Sequence, residues 1–251
     1  ATGALRAGAG KLQIATCRSI AHVVAAAVPE ARVFALAETK TGDIAASAAV
    51  EIAERAGQVQ ATLIGPGMIS EDAAAQLVVK MLPHVERTTL VIDAVALMCL
   101  AKEPTILQSL DNRAVITPHA GEMASVRNVD KDAVISDAAK VACETAAEIG
   151  AVVALKGAET FVAAPTGECY CNRTGNVGLA TSGSGDTLSG IVAGLLARGA
   201  PPLQAAAWSV FLHGRAGDRL AKRIGPLGFL ARELLAEVPA LMAGFGGKKN
   251  R

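Results

Sequence analysis

At 251 residues the chain is long enough for one large α/β domain, because domains of that size bury roughly 70–75% of the surface their unfolded chains expose. It is 51% hydrophobic but only 3% aromatic, an Ala, Val, Leu and Ile mixture that fills the space between helices and a buried parallel sheet and argues against a small barrel or an all-β fold. A formal charge of +1 offers no electrostatic footprint for nucleic acid, and the basic cluster Lys248, Lys249 and Arg251 lacks interleaved aromatics and reads as a solvated tail.

In chain order, Ala1, Ala4 and Leu5 fit the last turn and a half of a helix that ends at Gly8-Ala9-Gly10, with no N-cap before them, so residues upstream of this sequence are expected. Strands are predicted at Lys11–Thr16, Arg32–Ala37, Ala61–Ile64, Thr88–Asp93, Arg113–Thr117 and Ala151–Leu155. Amphipathic helices are predicted between them at Asp43–Ala56, Ser70–Leu82 and Lys131–Ile149. This βαβ rhythm predicts a mainly parallel central sheet with helices on both faces, a three-layer α/β/α architecture in a single domain over 1–251. Two strand-like runs over Thr160–Asn172 flank Pro165-Thr166-Gly167 and read as a hairpin; helices follow at Leu203–Lys222 and Phe229–Met242.

The cysteines, Cys17, Cys99, Cys143, Cys169 and Cys171, are odd in number and lack paired CxxC spacing, so they read as reduced cytosolic thiols with no metal site. Cys169 and Cys171 fall on one face of a strand with no His or third Cys near them in sequence, which assigns them to packing. No apolar run reaches the roughly 20 residues of a membrane span and no signal-peptide layout opens the chain, so a cytoplasmic, soluble protein without a membrane partner is expected.

Ligands of such sheets bind outside the carboxyl ends of the strands. Here four strand ends run into Gly65-Pro66-Gly67, Asp93, Thr117–Glu122 and Lys156–Thr160, which describes one cleft. The strongest signal is Asn172–Gly190, NRTGNVGLATSGSGDTLSG. Gly183, Ser184 and Gly185 form a loop without bulky side chains, and Leu188, Ile191, Val192, Leu195 and Leu196 then mark a buried helix face closed by Gly199 and Pro201. A glycine loop opening a helix directs free N–H groups and the positive end of the macrodipole at one point, the requirement for holding a phosphate. A tight strand-to-helix turn capped by Asp186 is the plainer alternative. Asp186 stands at the loop mouth, where a carboxylate suits proton acceptance from a hydroxyl attacking a terminal phosphate. Gly190 and Gly194, one turn apart, are assigned to close helix packing.

The stretches IGPGM, TPHAGEM, LKGAET and NRTGNVGLATSGSGDTLSGIVAGLLARG, in this order and with Leu212-His213-Gly214 downstream, closely resemble the ADP/ATP-dependent NAD(P)H-hydrate dehydratase family of the ribokinase-like fold. The resemblance runs from residue 1 to the C-terminal helices and implies a repair reaction in which ADP or ATP, with Mg²⁺, drives dehydration of S-NAD(P)HX to NAD(P)H. It implies that Asp186 is the catalytic carboxylate and also meets the hydrate, that Gly67 and His119 contact the hydrate, and that Lys156, Gly157, Ala158, Glu159, Thr160 and Gly185 hold the nucleotide. The implied partners are the hydrate and the nucleotide, in a homo-oligomer. Ala120, Val95, Val177 and Ser182 depart from the family pattern, and Val95 removes a second acid beside Asp93; the family's upstream Gly-rich strand-loop segment is also absent from this sequence.

His119 follows Pro118 in a loop, where a ligand contact is favoured over a hydrogen-bonded spacer; His22, His84 and His213 lie in helical stretches and read as structural or surface residues. Glu122 suits a helix cap better than water-mediated Mg²⁺ binding. A small-molecule kinase of the same fold, or a nucleotide-binding module without turnover, remain the competing functions.

Overall fold

The computed structural model describes residues 1–245, so Lys248, Lys249 and Arg251 lie outside the described residues. In chain order the elements that frame the site are α1 (Thr2–Arg6), β1 (Leu12–Cys17), α2 (Ala21–Ala27), β2 (Ala31–Leu36), α3 (Ala49–Ala56), β3 (Ala61–Ile64), α4 (Glu71–Met81) and β4 (Thr89–Ile92). They continue with α5 (Met98–Lys102), β5 (Ala114–Ile116), α6 (Ala120–Arg127), α7 (Lys131–Ser136), α8 (Ala138–Ile149), β6 (Val152–Leu155), β7 (Thr160–Ala163) and β8 (Cys169–Asn172). The chain closes with α9 (Ser184–Ala197), α10 (Pro202–Arg223) and α11 (Ala231–Phe245).

The central sheet has the order β3-β4-β5-β6-β7-β8, parallel from β3 to β6 and antiparallel through the β6-β7-β8 end. β1 and β2 pair in parallel with each other as a separate two-stranded sheet. Strand alternation sorts the side chains into two cores. Val91, Val115, Val152 and Ala154 pack with Leu188, Ile191 and Val192 of α9 and Val210 of α10. On the other face Ile92, Ile116, Val153 and Leu155 pack with Leu77 and Val78 of α4, Met123 of α6 and Ile149 of α8. Helices therefore cover both faces, as expected for a three-layer fold. Each fully buried aliphatic side chain in these layers contributes about 1.5–3 kcal/mol relative to exposure.

The same alternation has a consequence for chemistry. Register places Val91 beside Val115 and Val115 beside Val152, all on the α9 face. Two residues further along each strand come Asp93 and Thr117, and two beyond Ala154 comes Lys156, so three adjacent strand ends direct polar side chains at the side of the sheet that α9 covers.

Gly190 and Gly194 bring α1 onto α9: a Cβ at Gly194 would lie 2.5 Å from the Ala4 carbonyl oxygen and 2.7 Å from Ala7 Cβ. They pack helices and do not meet ligand, as their spacing suggested.

Three local readings change. The single helix expected over Lys131–Ile149 breaks at Asp137, whose backbone (φ −136°, ψ 46°) leaves the helical region. The helix expected from Asp43 starts only at Ala49 after a short 3₁₀ turn, because Asp43 is engaged in the loop: its carboxylate accepts from Thr41 Oγ1 at 2.9 Å and from the Ser70 N–H at 3.3 Å. Cys169 and Cys171 are exposed on β8 and do not serve packing. The fold also brings Cys143 of α8 against Cys169, which the linear sequence did not show; burial and the neighbouring Cys143 raise the Cys169 thiol to about 11. No helix among the described residues is long and apolar enough to cross a membrane.

Candidate functional site

The loop before α9 turns on Gly183, which holds φ 80° as the N-cap and makes no side-chain cap bond. Positive φ is open to glycine at no steric cost, so the chain can turn sharply; the Ser184 N–H donates back to the Thr181 carbonyl at 3.2 Å, which leaves the Gly185 and Asp186 N–H groups as the open donors of the first turn. Asp186, in the first turn, does not cap the helix, and among the described residues its carboxylate has no hydrogen-bond or ion-pair partner. The turn-with-capping-Asp alternative therefore loses its cap.

Lys156 leaves the end of β6 with its N–H donating to the Pro118 carbonyl at 2.8 Å. Its ammonium lies 3.1 Å from Asp93 Oδ1 and 3.7 Å from Glu122 Oε2, and only 3.3 Å from where a Cβ on Gly185 would stand. Asp93 is 1% exposed. A buried carboxylate needs a partner, and Lys156 supplies it while also setting a positive charge at the mouth of the α9 loop. The close seating of Asp93 depends on Gly65, since any Cβ there would collide with the Asp93 carbonyl.

Gly67, two residues on, holds φ 82° with nothing within 4 Å of a notional Cβ. Gly65 is thus required by packing, whereas Gly67 borders open space at a strand end.

His119 is the N-cap of α6. Its Nδ1 accepts from the Gly121 and Glu122 N–H groups at 3.0 and 3.1 Å, and Glu122 Oε2 accepts from the His119 N–H at 2.7 Å, a reciprocal capping box. With Nδ1 occupied as an acceptor, the neutral ring carries its proton on Nε2, which lies 3.6 Å from Glu122 Oε1 and otherwise borders the cleft. The side chain is 59% exposed and borders a cavity of about 290 Å³ together with Glu71, Val95, Met98, Glu122 and Ser125. Nδ1 meets the spacer reading of His119, its Nε2 side borders the cavity, and Glu122 is the cap it was expected to be.

Within Lys156–Thr160, the Glu159 carboxylate is turned to Arg173 at 2.6 Å, and that hydrogen bond holds it below the ordinary carboxylate range. Gly157 and Ala158 are exposed between the strands, and Thr160 opens β7, so apart from Lys156 what this segment presents at the strand end is mainly backbone.

Two further groups escaped sequence reasoning. His213 of α10 takes the structural of its two readings, with a partner the sequence did not show: its Nε2 shares a 2.9 Å hydrogen bond with Ser184 Oγ, and burial, aided by the Lys156 charge, lowers its pKa to about 4. The NRTGN loop is tied to α10 as well, with Asp218 accepting from the Gly175 N–H and the Asn176 amide, both at 3.3 Å. Gly214 packs so closely on Thr174 that no side chain would fit. Gly214 and Gly217 inside a long helix were the available signal, since each costs about 1 kcal/mol there unless close approach requires it.

Mg²⁺ finds no ready cage. Among the described residues no group of three or more His, Cys, Asp or Glu side chains could hold a metal ion, Asp93 is engaged by Lys156, and residue 95 is Val.

A family model described as NAD(P)H-hydrate dehydratase matches residues 1–240. The chain is 48% identical over 240 residues to an ADP-dependent (S)-NAD(P)H-hydrate dehydratase from Xanthomonas campestris pv. campestris, covering 95% of this chain and 80% of that protein. A bifunctional NAD(P)H-hydrate repair enzyme from Moorella thermoacetica is 39% identical over 242 residues, covering 96% of this chain but 46% of that protein, so the chain spans under half of that relative. Among solved structures, the Bacillus subtilis ADP/ATP-dependent NAD(P)H-hydrate dehydratase co-crystallised with ATP/Mg²⁺ superposes with TM-score 0.76 at 29% identity over 97% of this chain and 82% of the other. A ribokinase-like superfamily protein from Enterococcus faecalis superposes with TM-score 0.81 at 27% identity, over 97% and 80%.

Proposed function

The chain belongs to the NAD(P)H-hydrate dehydratase family, and on that premise we propose that it dehydrates S-NAD(P)HX to NAD(P)H at the expense of ADP or ATP. The observation that carries the reading is the approach of the Lys156 ammonium to the α9 glycine loop at Gly185, one residue before Asp186, whose carboxylate has no hydrogen-bond or ion-pair partner among the described residues.

The nucleotide's terminal phosphates sit at the N-terminus of α9, held by the N–H groups around Gly185, by the helix dipole and by Lys156. The backbone of Gly157, Ala158, Glu159 and Thr160 borders the rest of the nucleotide. The dinucleotide hydrate lies across Gly67 and the outward Nε2–H of His119. Asp186 takes the proton of the ring hydroxyl as its oxygen attacks the terminal phosphorus, and the P–O bond to the shortened nucleotide breaks. A ring hydroxyl leaves poorly and a phosphate leaves well, so the C–O bond then breaks with loss of the adjacent ring proton, giving NAD(P)H and inorganic phosphate. The described residues supply no metal cage, so Mg²⁺ would enter on the nucleotide.

The test is recovery of the near-ultraviolet absorbance of reduced nicotinamide from purified S-NAD(P)HX on adding ADP or ATP. Absence of recovery, with phosphorylation of a vitamin or sugar alcohol instead, would replace this reading by the kinase one.

A further inference from the structure

Ser184 is the first residue of α9 and lies inside the loop that receives phosphate, yet it is 4% exposed and points away from the opening. Its hydroxyl is shared with His213 Nε2 at 2.9 Å across 29 residues of sequence. We propose that His213 is a positioning residue for nucleotide binding: it pins the α9 loop from behind so that the N–H groups flanking Gly185 stay aimed at the phosphate. The inference rests on the proposed seat of the nucleotide at this loop.

Three observations support it. Besides the Ser184 N–H to the Thr181 carbonyl at 3.2 Å and the Thr187 hydroxyl to the Gly183 carbonyl at 3.1 Å, the Ser184–His213 bond is what ties the loop's own side chains to α10: Gly183 and Gly185 have no side chain, and the Asp186 carboxylate has no hydrogen-bond partner among the described residues. The first turn of a helix leaves its N–H groups unsatisfied, and such groups hold a phosphate well only when they cost no reorganisation on binding. The partner is also suited to the place. A histidine near the Lys156 ammonium should not be cationic, and burial together with that ammonium keeps His213 neutral above about pH 4. Finally, α10 is itself fixed beneath the site, through Gly214 against Thr174 and Asp218 against the Gly175 and Asn176 nitrogens, so the anchor does not drift.

Titration calorimetry of ADP onto the purified chain tests the idea. Ser184→Ala, the mildest change, and His213→Leu are each expected to weaken ADP binding about tenfold. The double variant is expected to weaken it by no more than either alone, because the pair acts as a unit. His213→Gln, whose amide reaches the position of Nε2, is expected to stay within about twofold of the parent. Thermal denaturation runs alongside on each variant. A folded Ser184→Ala with lowered Tm but unchanged ADP affinity would make the pair a structural bond only and overturn the inference, and this variant decides the matter should His213→Leu fail to fold. An equal loss in His213→Gln and His213→Leu would overturn it too, by showing that the hydrogen bond is not what matters. If the parent chain binds no ADP, the nucleotide assignment falls first; if it binds ADP and the variants match it, the His213 role alone falls.

Discussion

The two walls of the cleft are built differently. The wall proposed for the nucleotide is backbone and buried charge: a glycine turn, the end of a long helix packed on the sheet, and a lysine held by Asp93 at 3.1 Å. The wall proposed for the hydrate is loop: Gly67 beside open space and His119 more than half exposed at the head of a short helix. The phosphate seat proposed for the first wall has a geometry the fold itself sets, whereas the contacts proposed for the second rely on single side chains. Substitutions in the first should therefore be severe and confined to phosphate binding or chemistry, and those in the second milder and confined to the hydrate.

The largest expected effect is at Asp186. Asp186→Asn preserves shape and breaks no cap bond, so it should leave ADP affinity nearly intact while kcat falls by about 10²–10⁴, or roughly 3–5 kcal/mol of barrier. A fall under about threefold in steady-state assays would move the base to another residue.

Next comes the pH dependence of His213. Its folded pKa, about 4, lies below the ordinary value of 6.5, so the folded state binds fewer protons than the unfolded chain between those limits. Its contribution is fully present above pH 6.5 and is lost as pH falls towards 4, by at most about 3 kcal/mol. Urea denaturation across that window should show the loss in the parent and a flatter profile in His213→Gln. Acid loss from the carboxylates of Glu38 and Glu159, which hydrogen bonds hold below their ordinary range, is common to both proteins and cancels in the comparison.

Gly185→Val is third. A branched side chain there meets Lys156 and fills the mouth of the loop, so ADP affinity in calorimetry should fall about 10- to 100-fold with little change in affinity for NADPH. Unchanged ADP affinity would place the phosphate elsewhere.

The asymmetry of the walls also explains what was legible in the sequence. The β3 to β6 repeat and the α9 face could be read because short aliphatic runs and i, i+3, i+4 spacing report burial directly, and Gly183 to Asp186 because glycine before a periodic face marks a turn into a helix. The break between α7 and α8 was not legible: no Gly or Pro stands at Asp137 and the apolar spacing continues through it. The separation of β1 and β2 from the main sheet was hidden because pairing partners are a tertiary property that strand composition does not encode. His213 was hidden because its partner lies in another helix, and the capping role of His119 because histidine is not among the usual N-cap residues.

The smallest effect is the one that tests the second wall, and the variant has to be chosen around the cap. His119→Ala would remove two hydrogen bonds to α6 along with any ligand contact and so mix about 1 kcal/mol of stability with binding. His119→Asn keeps an acceptor for the Gly121 and Glu122 N–H groups, since Asn is a strong N-cap, and deletes only the Nε2–H that faces the cavity. Losing one neutral hydrogen bond is worth about 0.5–1.5 kcal/mol, so KM for the hydrate should rise roughly 3- to 12-fold while ADP affinity, Tm and kcat stay near the parent values. If Tm falls and KM does not change, His119 serves α6 alone and the hydrate finds its donor elsewhere on the wall, with Ser125 next along the same cavity. If ADP affinity falls as much as hydrate affinity, the two walls are not separable, because Glu122, which accepts from the His119 N–H and lies 3.7 Å from Lys156, joins them.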